Sequence, residues 1–369
     1  MLPSAAIILL SLTSLNSCDS LGGRKSPCTL HESSEPSISA PETNEKQGLG
    51  GPRSAYMAID SDGMFESECQ EIASKLSVPL SSKIIDSPDE RYTHELSLVP
   101  YEFQEVSTFA LAIESITVGS EDSSKNAKRR KRPSKKPKSN PHFIDFCPPK
   151  NSRAGKRSGQ ESGTDLLVKA TIPKKSIGST VVWDLTAGFG QDSLILALNG
   201  ASKVHMIERD PFVFALLEDG LRRLRQLSKV GLEFAQDLEQ RLTLGAGDGV
   251  DALQQVLLEG DKAIRPDICY LDPMFPPRTK SASVKKPMQI LHGLLNTQEE
   301  AKESIEERLE EERKLLEYAL EAAKCRVVVK RPAKAPLLGG ESGDGRKPSY
   351  AVEGSVNRWD VYILSNNNE

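Results

Sequence analysis

The sequence contains no C-x-x-C pair; its six cysteines (Cys18, Cys28, Cys69, Cys147, Cys269, Cys325) are scattered. That excludes a thiolate zinc site and a dense disulfide scaffold and fits a reducing compartment, so no metal is expected. No apolar run approaches the ~20 residues that span a bilayer. The longest, Ala5 to Leu12, is short and has no basic flank before it, so it is either the apolar stretch of a targeting segment or a greasy patch in a tail. Aromatic residues are scarce at 5%, hydrophobic residues reach only 37%, and mean hydropathy is −0.41. A uniformly folded chain of 369 residues would be richer. A good core diluted by long polar segments is expected, with room for two ordinary domains or one with appendages. Neither sign of charge dominates: 48 basic and 52 acidic residues leave −4, which excludes a globally basic nucleic-acid coat but not a local basic face.

Residues 1–66 are rich in Ser, Gly, Pro, Asn and Glu and show no helical or strand period. They read as a disordered or targeting extension, unable to bury enough apolar surface to offset ordering entropy. Residues 67–120 read as a small N-terminal α+β element. A helical spacing runs over Cys69 to Leu76, strand alternation over His94 to Tyr101, and a weaker strand over Phe109 to Ile113. Residues 121–140 read as a basic low-complexity linker, because Lys125 to Lys138 holds nine Lys/Arg, no acid and two prolines. That run is a solvated loop, a nuclear address or an RNA-grabbing arm.

From residue 141 to 369 strands and helices alternate. Strands are expected at His142 to Phe146, Val181 to Asp184, Lys203 to Glu208, Leu242 to Leu244, Asp267 to Leu271, Arg326 to Lys330 and Trp359 to Leu364. Helices are expected at Asp165 to Ala170, Gln191 to Asn199, Pro211 to Leu224, Val250 to Leu258 and Glu299 to Lys324. Repeated βα units imply a mostly parallel sheet with helices on both faces, in which ligands bind at the carboxyl ends of strands.

The motifs lie at those ends. Asp184-Leu-Thr-Ala-Gly188-Phe-Gly190 is a strand ending in a carboxylate and running into a Gly-x-Gly turn, where the lack of Cβ atoms permits close backbone approach. A dinucleotide fingerprint would need a third glycine where Ser193 stands, and Asp184 and Asp192 would repel a pyrophosphate. They suit a ligand with cationic amino and sulfonium groups, and S-adenosylmethionine (SAM) carries both. Glu208, 24 positions after Asp184, can take ribose hydroxyls, or it is a surface acid paired with Arg209. Asp248, in Gly245-Ala-Gly-Asp248-Gly249, can accept from an adenine amino group or simply form a turn.

Asp272-Pro273-Met-Phe275-Pro276 chooses the chemistry. It is of the Asp/Asn-Pro-Pro-Tyr/Phe type of enzymes that methylate amino groups on bases. An exocyclic purine amine is a poor nucleophile because its lone pair is delocalised into the ring. Asp272, with a nearby carbonyl, can accept from its N–H groups and align it, and Phe275 can stack on the base. Arg278, Lys280, Lys285 and Lys286 then form a basic stretch able to neutralise phosphates, and Lys330-Arg331-Pro332 adds charge on the same rim.

These residues resemble one family, RsmJ, the bacterial SAM-dependent guanine-N2 methyltransferases of 16S (small-subunit) ribosomal RNA. The resemblance rests on Asp184 to Asp192, Ile207 to Pro211, Ala215 to Leu221, Tyr270 to Pro276, Lys280 to Lys286, Val327 to Pro332 and Arg358 to Tyr362. It covers about residues 142–364 and extends weakly to 69–113. It implies a Rossmann-like α/β fold of seven mostly parallel strands with SAM as cofactor. By motif it carries over Asp184, Gly188, Gly190, Gln191, Asp192, Glu208, Arg209, Asp248, Gly249 and Asp272 as cofactor contacts. Asp272, Pro273 and Phe275 carry over as the catalytic motif, with Arg278, Lys280, Lys285, Lys286, Lys330 and Arg331 toward RNA. Gln191 stands where the family often has Arg, and Asp248-Gly249 where it has small polar residues. The implied partner is small-subunit rRNA or the assembling small subunit, with no membrane and a monomer expected. The compartment expected is intracellular: cytoplasm, or an organelle reached through the N-terminal extension. Two readings compete: a SAM-binding RNA or assembly factor without turnover, and an NAD-dependent oxidoreductase. The intact Asp272 motif disfavours the first, the missing third glycine the second.

Overall fold

The structure is a computed structural model and describes residues 55–59, 63–81, 92–116, 141–147, 165–260, 264–273, 289–291, 294, 305–338 and 346–364. Residues 1–48 lie outside the described residues, as does the basic run 125–138.

The small N-terminal element is a four-stranded sheet in the order β2-β1-β3-β4, with helix α1 (Glu66–Leu76). Its strands are β1 (Ala55–Ala58), β2 (Leu80–Ser81), β3 (His94–Phe103) and β4 (Val106–Ser115). β1 corrects the expectation that residues 1–66 stay outside the fold: it pairs in parallel with both β2 and β3. Ala55, Tyr56 and Met57 are all buried. A four-residue strand buried on both faces has no polar alternation, so the period that marks a half-buried strand is absent. The strand expected over His142 to Phe146 reduces to one bridge, His142 to Ile113, with Ile144 and Phe146 buried beyond it.

The large sheet has seven strands in the order β10-β11-β9-β8-β5-β6-β7. They are β5 (Thr180–Asp184), β6 (Ala201–Glu208), β7 (Leu242–Ala246), β8 (Ile268–Leu271), β9 (Arg326–Pro332), β10 (Tyr350–Glu353) and β11 (Asn357–Ile363). β5 to β9 run parallel to one another, and β11 runs antiparallel between β9 and β10. The connecting helices are α2 (Leu166–Thr171), α3 (Gln191–Leu198), α4 (Pro211–Lys229), α5 (Glu233–Arg241), α6 (Gly249–Glu259) and α7 (Ile305–Ala322). α5 and β10 were not expected. α5 buries only Ala235 and Leu238, and β10 is an edge strand whose residues are mostly exposed, so both leave weak patterns.

Local chemistry explains the strongest helix. Asp210 caps α4 by accepting from the N–H groups of Phe212 and Val213, both at 2.9 Å, and Pro211 fills the first turn, where no donor is needed. Leu216, Leu217, Leu221, Leu224 and Leu227 then recur on one buried face. At about 2 kcal/mol for each fully buried leucine, packing rather than propensity holds this helix.

α4 also joins the two sheets. Asp219 accepts from the Leu111 N–H at 2.9 Å and from Arg222 and Arg223 at 2.7 and 3.0 Å. Arg222 donates to the Phe109 carbonyl at 2.5 Å and Arg223 to that of Ile144. Arg223 is almost wholly buried, and its guanidinium lies 4.6 Å from the Tyr101 ring centroid. One carboxylate between two guanidiniums thus fixes β4 against the outer face of α4.

Chain order sets where a ligand fits. From β5 the chain winds outward through β6 and β7, then returns to the other side of β5 as β8. The loops leaving β5 and β8 diverge at their carboxyl ends and open a crevice between them. Asp184 ends β5, Asp272 follows β8, and the two strands pair through Asp184 and Tyr270.

Candidate active site

At the β5 end, Asp184 is fully buried. Its Oδ2 accepts from the Ser193 hydroxyl at 2.5 Å and its Oδ1 from the Thr186 N–H at 3.3 Å. Burial pushes its carboxyl up to about 7, against the Ser193 hydrogen bond, with Asp192 adding to the rise. The position that a dinucleotide fingerprint would give to glycine is thus used by a hydroxyl that holds the strand-end acid.

The glycine turn follows. Gly188 has φ +52°, and its N–H donates to Glu208 Oε2 at 2.8 Å. The other oxygen of Glu208 accepts from the Asp210 N–H at 2.8 Å. Glu208 is therefore bonded to backbone, while Arg209 turns toward Glu311 (3.6 Å) and Asp248 (3.9 Å). Burial lifts the Glu208 carboxyl to about 7 despite those two N–H groups. A cleft of about 220 Å3 beside Glu208 is lined by Arg209, Ala246, Gly247 and, from α1, Lys75 and Leu76.

Two glycines serve a different purpose from the one expected. Gly190 has φ +68°, and a Cβ there would meet Leu217 Cδ2 at 2.9 Å and Phe146 Cε1 at 3.2 Å. Core packing, rather than ligand approach, occupies that space. A Cβ on Gly249 would lie 3.0 Å from the Leu185 carbonyl oxygen, so this glycine lets α6 sit close on the β5 loop. Asp248 caps α6 through the Val250 N–H at 2.7 Å, which leaves its other oxygen facing Arg209. Gln191 is the exposed first residue of α3.

At the β8 end, Leu271 pairs with Val329, which makes Asp272 and Lys330 lateral neighbours. Lys330 Nζ donates to Asp272 Oδ2 at 2.7 Å and to Asp192 Oδ2 at 2.6 Å. The Tyr270 hydroxyl donates to the same Asp192 oxygen at 2.8 Å. The Asp272 N–H donates to Thr186 Oγ1 at 2.7 Å, and Pro273 is buried behind it. Burial pulls the Lys330 ammonium down, but Asp272 and Asp192 outweigh it and hold it above the ordinary lysine value. Burial lifts Asp272, Lys330 draws it back and Asp192 lifts it again, for a net rise. The Asp272 side chain is 35% exposed, so water offsets part of that burial, and the ammonium at 2.7 Å opposes the rise.

This corrects two expected phosphate contacts. The Lys330 side chain is 18% exposed and already bridges two carboxylates. Arg331 is 2% exposed and donates to Glu312 at 3.3 Å and to the Pro336 carbonyl at 3.1 Å. Lys330 and Arg331 point to opposite faces of β9, and both faces are covered. Thr186, Ser193, Tyr270 and Lys330 complete the site. Their roles follow from how the fold brings the β5, β8 and β9 ends together, which their local sequence does not show. Phe275, Arg278, Lys280, Lys285 and Lys286 lie outside the described residues. Among the described residues no cluster of His, Cys, Asp and Glu could hold a metal ion, and no helix is long and apolar enough to cross a membrane.

The donor set fits S-adenosylmethionine. Asp192 and Asp272 face one ammonium at the crevice, a balance that favours a cationic ligand. Glu208, at the neighbouring strand end, can still accept hydroxyl donors beside its two N–H bonds.

The sheet order, the glycine turn and the strand-end acids together define a SAM-dependent methyltransferase of Rossmann-like fold. Residues 121–364 match the family described as "Putative SAM-dependent methyltransferase". The chain is 39% identical over 221 residues to "Ribosomal RNA small subunit methyltransferase J" of Saccharophagus degradans, covering 60% of this chain and 74% of that protein. It is 38% identical over 229 residues to the protein of the same name from Tolumonas auensis, covering 62% and 80%. Among solved structures, the SAM-dependent methyltransferase NGO1261 from Neisseria gonorrhoeae aligns with a TM-score of 0.51 and 26% identity, over 85% of this chain and 97% of that one. The chain belongs to the ribosomal RNA small subunit methyltransferase J family.

Proposed function

We propose that the protein methylates the exocyclic N2 amine of a guanosine in small-subunit ribosomal RNA. The observation that carries this reading is the position of Asp272. It follows the buried strand β8 at the switch point, its N–H is anchored on Thr186 and one carboxylate oxygen is held by Lys330. The second oxygen, Oδ1, is then available to accept an N–H from the base. The relatives' name supplies the rRNA substrate, and the Asp-Pro-Met-Phe sequence supplies amino-group chemistry.

In this reading Gly188, Glu208 and the acids around Lys330 hold the methyl donor. Bound SAM supplies an electrophilic methyl group whose bond to sulfur breaks with its electron pair going to sulfur. Asp272 orients the N2 amine so that its lone pair points along that bond, and the carboxylate favours the positive charge developing on nitrogen. The N2 proton leaves afterwards, to Asp272 or to water. Arg278, Lys280, Lys285 and Lys286 neutralise phosphates near the target, each contributing about 0.7–0.9 to the salt slope of RNA binding.

The test is to incubate the protein with SAM and small-subunit rRNA lacking the modification, digest it to nucleosides and identify the product by mass spectrometry. N2-methylguanosine at one position, near one per RNA, is expected. Methyl groups on another base, or on ribose, would overturn the assignment.

A further inference from the structure

We propose that Lys330 is a positioning residue for methyl transfer: by donating to Asp192 and Asp272 together, its ammonium locks the donor-side helix α3 to the acceptor-side acid and leaves Asp272 Oδ1 free for the substrate amine. The inference rests on the reading of Asp272 as the acceptor of that amine.

Three elements meet at this ammonium. Asp192 is the second residue of α3, directly after the glycine turn. Asp272 leaves β8, the strand next to β5. Lys330 comes from β9, on the far side of β8. The two Nζ contacts, 2.6 and 2.7 Å, are charge-assisted and short. Tyr270 adds a hydroxyl on Asp192 and Thr186 an acceptor for the Asp272 N–H, so both acids are tied to the β5–β8 pair as well. A lysine kept for phosphate would reach outward on its flexible stem, whereas this one has its head inside the crevice. The charges facing it are Asp192 from α3 and Asp272 after β8, while Asp184 from β5 faces the neighbouring Tyr270 phenol, which stays neutral.

Two consequences follow. A carboxylate with one oxygen occupied by a cation has a fixed rotamer and presents its remaining oxygen in a single direction. The same cation keeps Asp272 ionised at lower pH. Without it, burial and Asp192 would push the Asp272 proton affinity up, and activity needing the carboxylate would fail at a higher pH.

The experiment compares wild type, Lys330→Met and Lys330→Arg. Single-turnover methylation of unmodified small-subunit rRNA is measured from pH 5 to 9. The Asp272 carboxyl carbon is titrated by NMR in the protein without SAM, with the resonance assigned by its loss in Asp272→Asn. RNA affinity is measured against salt. For Lys330→Met we expect a rate loss of roughly 10–100-fold, as for loss of a group that orients a reacting one. The acid limb and the NMR midpoint should both move up by about 1–3 pH units. The salt slope should stay unchanged, and Lys330→Arg should restore most of the rate. Wild-type rate and midpoint in Lys330→Met overturn the inference. So does a rate loss with an unmoved midpoint, which would make Lys330 merely structural. A salt slope lowered by about 0.7–0.9 would make it a phosphate contact and overturn it as well. Asp272→Ala in the same assay separates the two levels: an inactive Asp272→Ala beside a normal Lys330→Met removes only the role of Lys330. A fully active Asp272→Ala removes the amine-acceptor reading and this inference with it.

Discussion

Gly188 donates its N–H to Glu208 at 2.8 Å, so the turn that follows β5 hangs from the acid that ends β6. Glu208 is thus both a candidate ribose acceptor and the anchor of the glycine turn. In Glu208→Gln, one of the two backbone N–H groups must face an amide NH2 instead of an oxygen. An unmet buried hydrogen bond costs about 1–3 kcal/mol. SAM affinity is expected to fall by about 10-fold or more, with a lower melting temperature. Calorimetry and thermal unfolding check this; unchanged SAM affinity would place the nucleoside elsewhere.

The two buried acids make stability depend on pH. Asp184 and Glu208 both have carboxyls raised to about 7 by burial. Between their ordinary values and about 7 the folded state binds more protons than the unfolded chain, so stability falls as pH rises through that window and levels off above it. Each group accounts for on the order of 3–4 kcal/mol across the window. Asp184→Asn removes one titration while keeping an acceptor for Ser193. Urea unfolding without SAM, from pH 5 to 8, should show a smaller decline in the variant. Parallel curves for the two proteins would mean that Asp184 is ionised throughout.

The parts of this site written in contiguous residues were legible in the sequence. β5 with its glycine turn, β6 ending in Glu208, the Asp210-Pro211 helix start and β8 leading into Asp272 are each set by local periodicity, capping and turn chemistry. Lys330 was legible as a charge but not in its role, because only the parallel register of β8 and β9 brings it beside Asp272. β1 was hidden because a short strand buried on both faces carries no alternation. Gly190 was read as a ligand-facing glycine, whereas the packing of Leu217 and Phe146 against its Cα comes from α4 and residues 141–147, far off in sequence.

That packing gives a prediction that separates the two glycines. An added Cβ at Gly190 enters the core at 2.9 Å from Leu217, in a left-handed conformation that disfavours it. Overpacking and strain together predict a loss of about 2–4 kcal/mol for Gly190→Ala. At Gly188 the nearest atom, Leu291 Cδ2, lies 3.6 Å away, so Gly188→Ala bears mainly the strain of its positive φ, about 1 kcal/mol. Chemical denaturation should rank them in that order. Gly188→Val should weaken SAM binding more than its stability change explains. Equal stability losses for the two alanine variants would contradict the packing account.

The Asp272 side chain bears most directly on the chemistry. Strand β8 is buried at all four positions and fixes the backbone up to Leu271. Pro273 restricts Asp272 to extended geometry, and Thr186 accepts its N–H at 2.7 Å. The carboxylate therefore projects from the sheet edge with one oxygen on Lys330 and the other toward the crevice. Asp272→Ala removes an acceptor aimed at charge that develops only during transfer, so the loss should fall on turnover, on the order of 10²–10³-fold. SAM affinity should drop much less, because Gly188, Glu208 and the Asp192–Lys330 pair remain. Asp272→Asn keeps one carbonyl acceptor but loses the charge and weakens the hold of Lys330, so it should lie between alanine and wild type. Single-turnover methylation of unmodified small-subunit rRNA, with SAM binding measured on the same preparations, checks all three. A wild-type rate in Asp272→Ala would show that the amine is oriented by something else, and a rate loss matched by an equal loss of SAM affinity would make Asp272 a cofactor contact alone.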